Sequence, residues 1–295
     1  MLITFGQVLD IGIKRLEQAG TDGAERDANL LLQYFMNEDR NFIFLHRNDG
    51  TDEDHAEAYF ELIDRRAEGE PLQYIVGTQE FMGHEFKVDP SVLIPRPDTE
   101  TVVEFALSRI GEMKKCRSLL DMCCGSGAIA VSVAKAVPGV EIMACDCSQE
   151  ALDTAAQNIA LNGVDHRVNL KQTDMFQVQK KKKNVPLKEK FDMIICNPPY
   201  IPSGVIPTLQ KEVREHEPLM ALDGGADGLD FYRIIAAEAA DHMKKKGCMV
   251  LEIGHDQGAA VMGLLEETGR YQDISVHKDL AGHDRIVYCS LAGGK

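Results

Sequence analysis

Leu119-Leu120-Asp121-Met122-Cys123-Cys124-Gly125-Ser126-Gly127-Ala128-Ile129-Ala130 is an apolar strand running into a glycine loop and then a small-residue helix. Glycines 125 and 127 let a ligand approach the backbone, and the N–H groups of the helix start face that ligand. Gly125-x-Gly127-x-x-Ala130 formally fits a dinucleotide fingerprint, so NAD competes with other adenosine cofactors for the loop. Asp121 favours a cationic ligand, because a carboxylate at the strand end sits poorly beside a pyrophosphate. S-adenosylmethionine carries both a sulfonium and an ammonium.

The pattern repeats downstream of this loop. Strands are expected near 117–122, 140–145, 167–172, 191–196 and 247–253, with helices beginning near Thr99, Gly127, Ser148, Val205 and Asp227. Such alternation predicts a parallel sheet with helices on both faces. The tail segments YQDISVHK and DRIVYCSL, separated by Ala281-Gly282-His283, predict an antiparallel hairpin closing one edge and bringing the sheet to seven strands. In a doubly wound α/β sheet, ligands bind outside the carboxyl ends of the strands. Asp146 is at one such end, where an acid can hydrogen-bond ribose hydroxyls. Asp174 and Met175 follow the third strand, where an acid and an apolar side chain can address an adenine. Asn197-Pro198-Pro199-Tyr200 follows Phe191-Asp192-Met193-Ile194-Ile195-Cys196. An Asn oxygen and a proline carbonyl can accept the two bonds of a planar NH2 group while a tyrosine ring covers one face of it. Nucleobases and amides both offer such a group.

Residues 1 to 75 carry helix signals and almost nothing that reads as strand. Thr4-x-x-Gln7, Asp22-x-x-Glu25 and Thr51-x-x-Asp54 resemble helix starts, and Val8, Ile11 and Leu16, then Leu30, Leu31, Tyr34 and Phe35, give helical spacing. This segment is expected to be a small helical, substrate-docking domain (1–75). A linking β-hairpin around Gly83 (76–92) and the catalytic domain (93–295) are expected to follow. The first 75 residues hold 16 Asp and Glu against 7 Lys and Arg, a net of −9 out of −15 for the 295-residue chain. That balance argues against general nucleic-acid affinity, which depends on cationic side chains neutralising phosphates, and makes an acidic face for a basic protein partner conceivable. The concentrated basic stretch is Lys180 to Lys183 with Lys188 and Lys190, expected to be a solvated insertion.

Eight cysteines include no C-x-x-C pair, so neither a metal site nor a disulfide framework is expected. No run approaches the roughly 18 apolar residues that span a membrane. A cytoplasmic protein, without membrane attachment and monomeric, is the expectation.

With these motifs in order, the chain resembles the S-adenosylmethionine-dependent methyltransferases of the HemK type, which methylate a glutamine side-chain amide in peptide-chain release factors. Arg66-x-x-Gly69-Glu70-Pro71-Leu72, Glu80-Phe81-x-Gly83, Leu93-Ile94-Pro95-Arg96-Pro97-Asp98-Thr99-Glu100, Asp121 to Gly127, Asn197 to Ile201, Glu217-Pro218 and Leu251-Glu252-Ile253-Gly254 carry the resemblance. It implies a Rossmann-like methyltransferase fold and release factors as protein substrate. S-adenosylmethionine would be the cofactor, leaving S-adenosylhomocysteine. Asp121, Cys123, Cys124, Gly125, Ser126, Gly127, Asp146, Met175 and Asn197 would hold the cofactor. Asn197, Pro198, Pro199 and Tyr200 would hold the glutamine, with Asn197, Pro198 and Tyr200 catalytic. A ribosomal protein, or an adenine amino group of nucleic acid, are the competing substrates. Cys123 stands where many relatives have glycine, so this position is expected to have an ordinary negative φ.

Overall fold

The structure, a computed structural model, describes residues 3–180 and 183–293. The chain divides into two compact units, residues 1–78 with 210–216, and residues 79–209 with 217–295.

The first unit is helical. Helix α1 (Phe5–Gln18) opens on the expected capping box: Gln7 N donates to the Thr4 hydroxyl at 3.3 Å and Thr4 N donates to Gln7 Oε1 at 3.0 Å. α2 (Ala24–Met36) starts one residue after Gly23, without a side-chain cap, so Asp22 does not cap it. α3 (Arg40–Leu45) is capped by Asp39, and α4 (Glu53–Ala67) by Asp52 rather than Thr51. α5 (Leu72–Val76) ends the unit. Two short strands, β1 (Ile3–Thr4) and β2 (Gly50–Thr51), pair antiparallel, a feature the helical sequence pattern does not announce. Val8, Leu16, Leu31, Leu32, Tyr59 and Ile63 form the core, whereas Ile11, Leu30 and Tyr34, expected inside, are exposed.

The second unit begins with the hairpin β3 (Thr78–Phe81) and β4 (His84–Lys87), turned by two positive-φ residues, Met82 and Gly83. α6 (Pro97–Glu112) follows, with proline at its first turn where a missing N–H is harmless. Then come β5 (Ser118–Met122), α7 (Ala128–Ala136), β6 (Glu141–Asp146), α8 (Gln149–Leu161), β7 (Val168–Gln172), a β8–β9 hairpin (Gln177–Lys180, Lys183–Pro186) and β10 (Phe191–Cys196). Lys181 and Lys182 of the lysine run lie outside the described residues.

From Val205 the sequence predicts one helix, but the structure has a 3-10 turn (Ile206–Thr208), α9 (Lys211–His216) and α10 (Leu219–Leu222). Pro202, Pro207 and Pro218 each remove a backbone donor and break the run. α9 belongs to the helical unit, where Glu212 meets Arg66 at 2.6 Å and the Lys211 ammonium donates to Glu68 O at 2.5 Å. Arg66 also pairs at 2.8 Å with Asp27, whose side chain is fully buried. The fold closes with α11 (Asp230–Glu238), β11 (Met243–Glu252), α12 (Gly258–Glu267), β12 (Tyr271–Lys278) and β13 (Asp284–Leu291).

The sheet order is β12-β13-β11-β10-β5-β6-β7. β11, β10, β5, β6 and β7 pair in parallel, and β13 and β12 join antiparallel, so the tail hairpin closes one edge as predicted. α6, α7 and α8 cover one face through Val103, Ile129, Val133 and Ile159; α11 and α12 cover the other through Ile235, Val261 and Leu265. The chain builds outward from β5 through β6 to β7, then returns to add β10 on the other flank of β5. A crevice opens at such a reversal, at the carboxyl ends of the strands. Among the described residues no helix is long and apolar enough to cross a membrane, and no cluster of acidic, His and Cys side chains could hold a metal ion.

Candidate active site

At the end of β5 the chain turns through Cys123, Cys124, Gly125, Ser126 and Gly127 into α7. Backbone bonds fix the loop: Cys124 N donates to Cys145 O at 2.9 Å, and Gly127 N to Cys124 O at 2.8 Å. Gly127 has φ +78°, and a Cβ there would stand 3.3 Å from Ala155 Cβ, so only glycine lets α7 pack this closely on α8. Asn158, fully buried in α8, donates to Ser126 O and to Lys87 O, both at 2.9 Å, and ties the loop to β4.

Two expectations are corrected here. Cys123 has φ +60°, in the left-handed region, not the ordinary conformation expected of a non-glycine residue. The turn requires this backbone whichever side chain stands there. Asp121 does not face the cleft. It is fully buried, its Oδ2 accepts the Ala130 N–H at 2.9 Å, and its Oδ1 is buried without a partner. Burial pushes its carboxyl up to about 8, against the Ala130 hydrogen bond, with nearby Asp146 raising it further. Asp121 therefore anchors the start of α7 and is not an anionic partner for a sulfonium.

The remaining strand ends converge on one cleft. Cys123, Cys124, Gly125, Ser126, Asp146, Asp174, Met175, Asn197 and Pro199 all line it. Asp146 is held by two backbone N–H groups, from Gly125 to Oδ2 at 2.9 Å and from Ser148 to Oδ1 at 3.0 Å. Each carboxylate oxygen keeps acceptor capacity for a diol. Met175, with φ +47°, is buried and brings its sulfur 3.9 Å from the Cys123 thiol, forming an apolar wall where a purine ring can lie. Gly125 faces open space, with nothing within 4 Å of where a Cβ would be. An adenosine cofactor with a charged tail fits these residues.

At the end of β10, Asn197 Nδ2 donates to the Thr99 hydroxyl at 3.3 Å. Tyr200 is part-buried and turns its hydroxyl to Glu252 Oε1 at 3.3 Å, and Pro198 is buried. The turn is held from outside the motif. Gln257 donates to Tyr200 O at 2.9 Å and to Gly228 O at 3.1 Å. A Cβ on Gly228 would come within 2.4 Å of Tyr200 O, so the 224–228 loop must be glycine there. Glu252 is legible in the sequence only as part of the Leu251–Gly254 motif, and its role, like Gln257 and Gly228 altogether, escapes sequence reasoning because it exists only once β11 lies beside β10. Arg96, at the mouth of the cleft, is paired with Glu217, which is buried. Met220, 60% exposed, and Pro218 also line the mouth.

A seven-stranded sheet in this order, with a glycine loop after its first core strand and an acid at the end of the next, defines a Rossmann-like methyltransferase. The catalytic domain of hMettl16, in complex with MAT2A 3'UTR hairpin 6, shares the fold at TM-score 0.51 and 12% identity, over 81% of each chain. The family model of the PrmC N-terminal domain matches residues 7–77, and that of the methyltransferase small domain matches 102–211. A release factor glutamine methyltransferase of Moorella thermoacetica is 40% identical over 98% of both chains, and one of Clostridium botulinum (strain Hall) is 38% identical over 92% of this chain and 94% of its own. The chain belongs to the release factor glutamine methyltransferase family.

Proposed function

We propose that this enzyme methylates the side-chain amide nitrogen of a glutamine in peptide-chain release factors, using S-adenosylmethionine and leaving S-adenosylhomocysteine. One observation carries the reading: Asn197 and Pro199 line the same cleft as the glycine loop and Asp146, with the Asn197 nitrogen engaged by Thr99, while Pro198 and Tyr200 stand behind them and are not part of its lining. The Asn197 oxygen is therefore the group left for an incoming N–H.

The bound cofactor supplies an electrophilic methyl carbon on sulfur. Asp146 would take the ribose hydroxyls, the Gly125–Ser126 backbone would take the charged tail, and Met175 would pack beside the adenine. An amide nitrogen is a weak nucleophile because its lone pair is delocalised into the carbonyl. Asn197 Oδ1 and the Pro198 carbonyl accept its two N–H bonds, which fixes its orientation and favours the loss of planarity that attack requires. Near-attack positioning of this kind can supply roughly 7–11 kcal/mol, so no strong base is needed before attack; as the nitrogen–carbon bond forms and the carbon–sulfur bond breaks, the nitrogen becomes strongly acidic and would lose one of its two protons to water. Neutral acceptors also avoid an ion pair with the sulfonium. A release-factor substrate, which works at the ribosome, supports a cytoplasmic location for the enzyme. The acidic helical unit is the docking surface for the rest of the partner.

Incubation with labelled cofactor and purified release factors, followed by mass spectrometry of the labelled peptide, tests substrate, atom and activity together. Asn197→Ala is expected to lower kcat by about 100-fold or more while cofactor affinity, measured by calorimetry, holds. Full turnover in that variant would exclude the mechanism.

A further inference from the structure

The cleft uses the carboxyl ends of the parallel strands, and their amino ends have a different character. Three neighbouring strands start on basic segments: Lys244-Lys245-Lys246-Gly247 in β11, Lys188-Glu189-Lys190 before β10, and Lys114-Lys115-Cys116-Arg117 before β5. The strands pair in parallel, so all three segments lie at one edge of the sheet. Adjacent strands run about 4.8 Å apart, and the three starts span roughly 10 Å.

Hydrogen bonds fix this edge and leave its charge free. Asp192 Oδ2 accepts from the backbone N–H groups of Arg117 and Ser118 at 2.9 and 3.0 Å and pairs with Lys244 at 3.1 Å, which ties the three strands together. The other acids of these segments are also taken, Glu112 by Arg109, Glu189 by Lys171 and Asp241 by Arg270. Among the described residues, Lys114, Lys115, Arg117, Lys188, Lys245 and Lys246 are exposed and form no ion pair. Two of them stand on a bulge. Phe191 pairs with Met243 and Met193 with Cys248, so Lys244 to Gly247 stand opposite Asp192 alone. Lys246 takes φ +70°, a conformation disfavoured for a residue with a side chain, and a Cβ on Gly247 would stand 2.9 Å from Lys244 O. The exposed Glu141 and Asp165, at the starts of β6 and β7, bound the patch on the other side.

We propose that this amino-terminal edge of the sheet docks the phosphate backbone of RNA. The chemistry of the patch selects that occupant. A stable protein interface has an apolar core, and a membrane-bound surface buries an apolar face. Among the described residues, these three segments expose no large apolar or aromatic side chain, so there is neither such a face nor a platform on which a base could stack. What remains is the neutralisation of phosphates, which holds a nucleic acid without reading its sequence. The net charge of −15 opposes a general affinity for nucleic acid. At 0.1 M salt, however, charges beyond about 10 Å are screened, so the local excess governs contact. RNA docked here leaves the cleft open at the opposite edge of the sheet. The choice of RNA over DNA rests on the release-factor reading, because such a substrate works at the ribosome; the docking of phosphates does not rest on it.

The test titrates the enzyme into a fluorescently labelled RNA duplex of about 20 base pairs and follows anisotropy from about 50 to 200 mM salt. The expected Kd is roughly 1–100 µM, with log affinity falling linearly against log salt at a slope of about −4 to −5, for about four to six phosphates contacted. Lys245→Ala with Lys246→Ala should weaken binding about tenfold or more and flatten the slope by about two. Lys114→Ala with Lys115→Ala, two strands away, should do the same, and Lys14→Ala with Arg40→Ala in the helical unit should do neither. Melting temperature and S-adenosylhomocysteine affinity should be unchanged in all three, which separates lost docking from lost folding. No binding at the lowest salt, or wild-type binding in both patch variants, overturns the proposal. Tighter binding of polyglutamate or of phosphatidylserine vesicles also overturns it, assigning the edge to an acidic protein or a membrane. Tighter binding of a DNA duplex of the same length overturns the choice of RNA. If RNA docks as stated while no release factor is methylated, the substrate reading fails and the docking edge stands.

Discussion

Cys123 holds a left-handed backbone at the centre of the cofactor loop, where a Cβ meets the following carbonyl oxygen at a cost of about 1–2 kcal/mol. Met175, whose sulfur it approaches, is a second non-glycine residue at positive φ, so strain is concentrated in this wall of the cleft. Cys123→Gly relieves the φ penalty but loosens the unfolded chain and removes the packed sulfur. The expected net is a gain of about 0.5–1 kcal/mol in urea unfolding. Cys123→Val should lose more than about 1 kcal/mol, because a β-branched side chain tolerates this backbone least. If the glycine variant is the less stable of the two, the Cys123 sulfur outweighs its backbone strain.

The loop and the helix it feeds depend on one another. Gly127→Ala forces a Cβ to positive φ and to within 3.3 Å of Ala155. It is expected to lower stability by about 1–3 kcal/mol and to weaken cofactor binding, both measurable by thermal unfolding with and without S-adenosylhomocysteine. Equal melting temperatures in the two proteins would show that α7 and α8 can part freely. At this scale the sequence is legible where the hydrophobic run is unbroken. β5, β6, β7 and β10 lie within a residue of their expected spans, and both strands of the tail hairpin match. The broken stretch after Val205 is misread because prolines stop a helix that the side-chain spacing would permit. α12 is not foreseen: it carries Gly258 and Gly263 and no side-chain cap. Asp121 is misplaced for a related reason. Leu119 to Met122 are all buried, and a central strand covered on both faces has no alternation to say which way a carboxylate points. The loop residues, Asp146 and Asn197 are legible as strand ends. The Asn197–Thr99 and Tyr200–Glu252 contacts are not, since they join chain segments that meet only in three dimensions.

Charge acts over the whole molecule. The −15 net charge is weighted to the first 75 residues, and on α4 the exposed Glu53, Glu57 and Glu61 recur every four residues. Like charges at that spacing repel by a few tenths of a kcal/mol per pair, and only Glu53, in the first turn, gains from the helix dipole. Glu57→Lys with Glu61→Lys should therefore leave the melting temperature unchanged or slightly higher. If the helical unit docks a basic surface of the release factor, the same double variant should weaken association, mainly through the on-rate. The loss should shrink as salt screens charges beyond a Debye length of about 10 Å at 0.1 M. Association measured across a salt series, beside calorimetry of the cofactor as a control for the catalytic unit, separates the two effects. Unchanged association at the lowest salt would remove the α4 face from the docking surface and leave the cleft to recognise its partner alone.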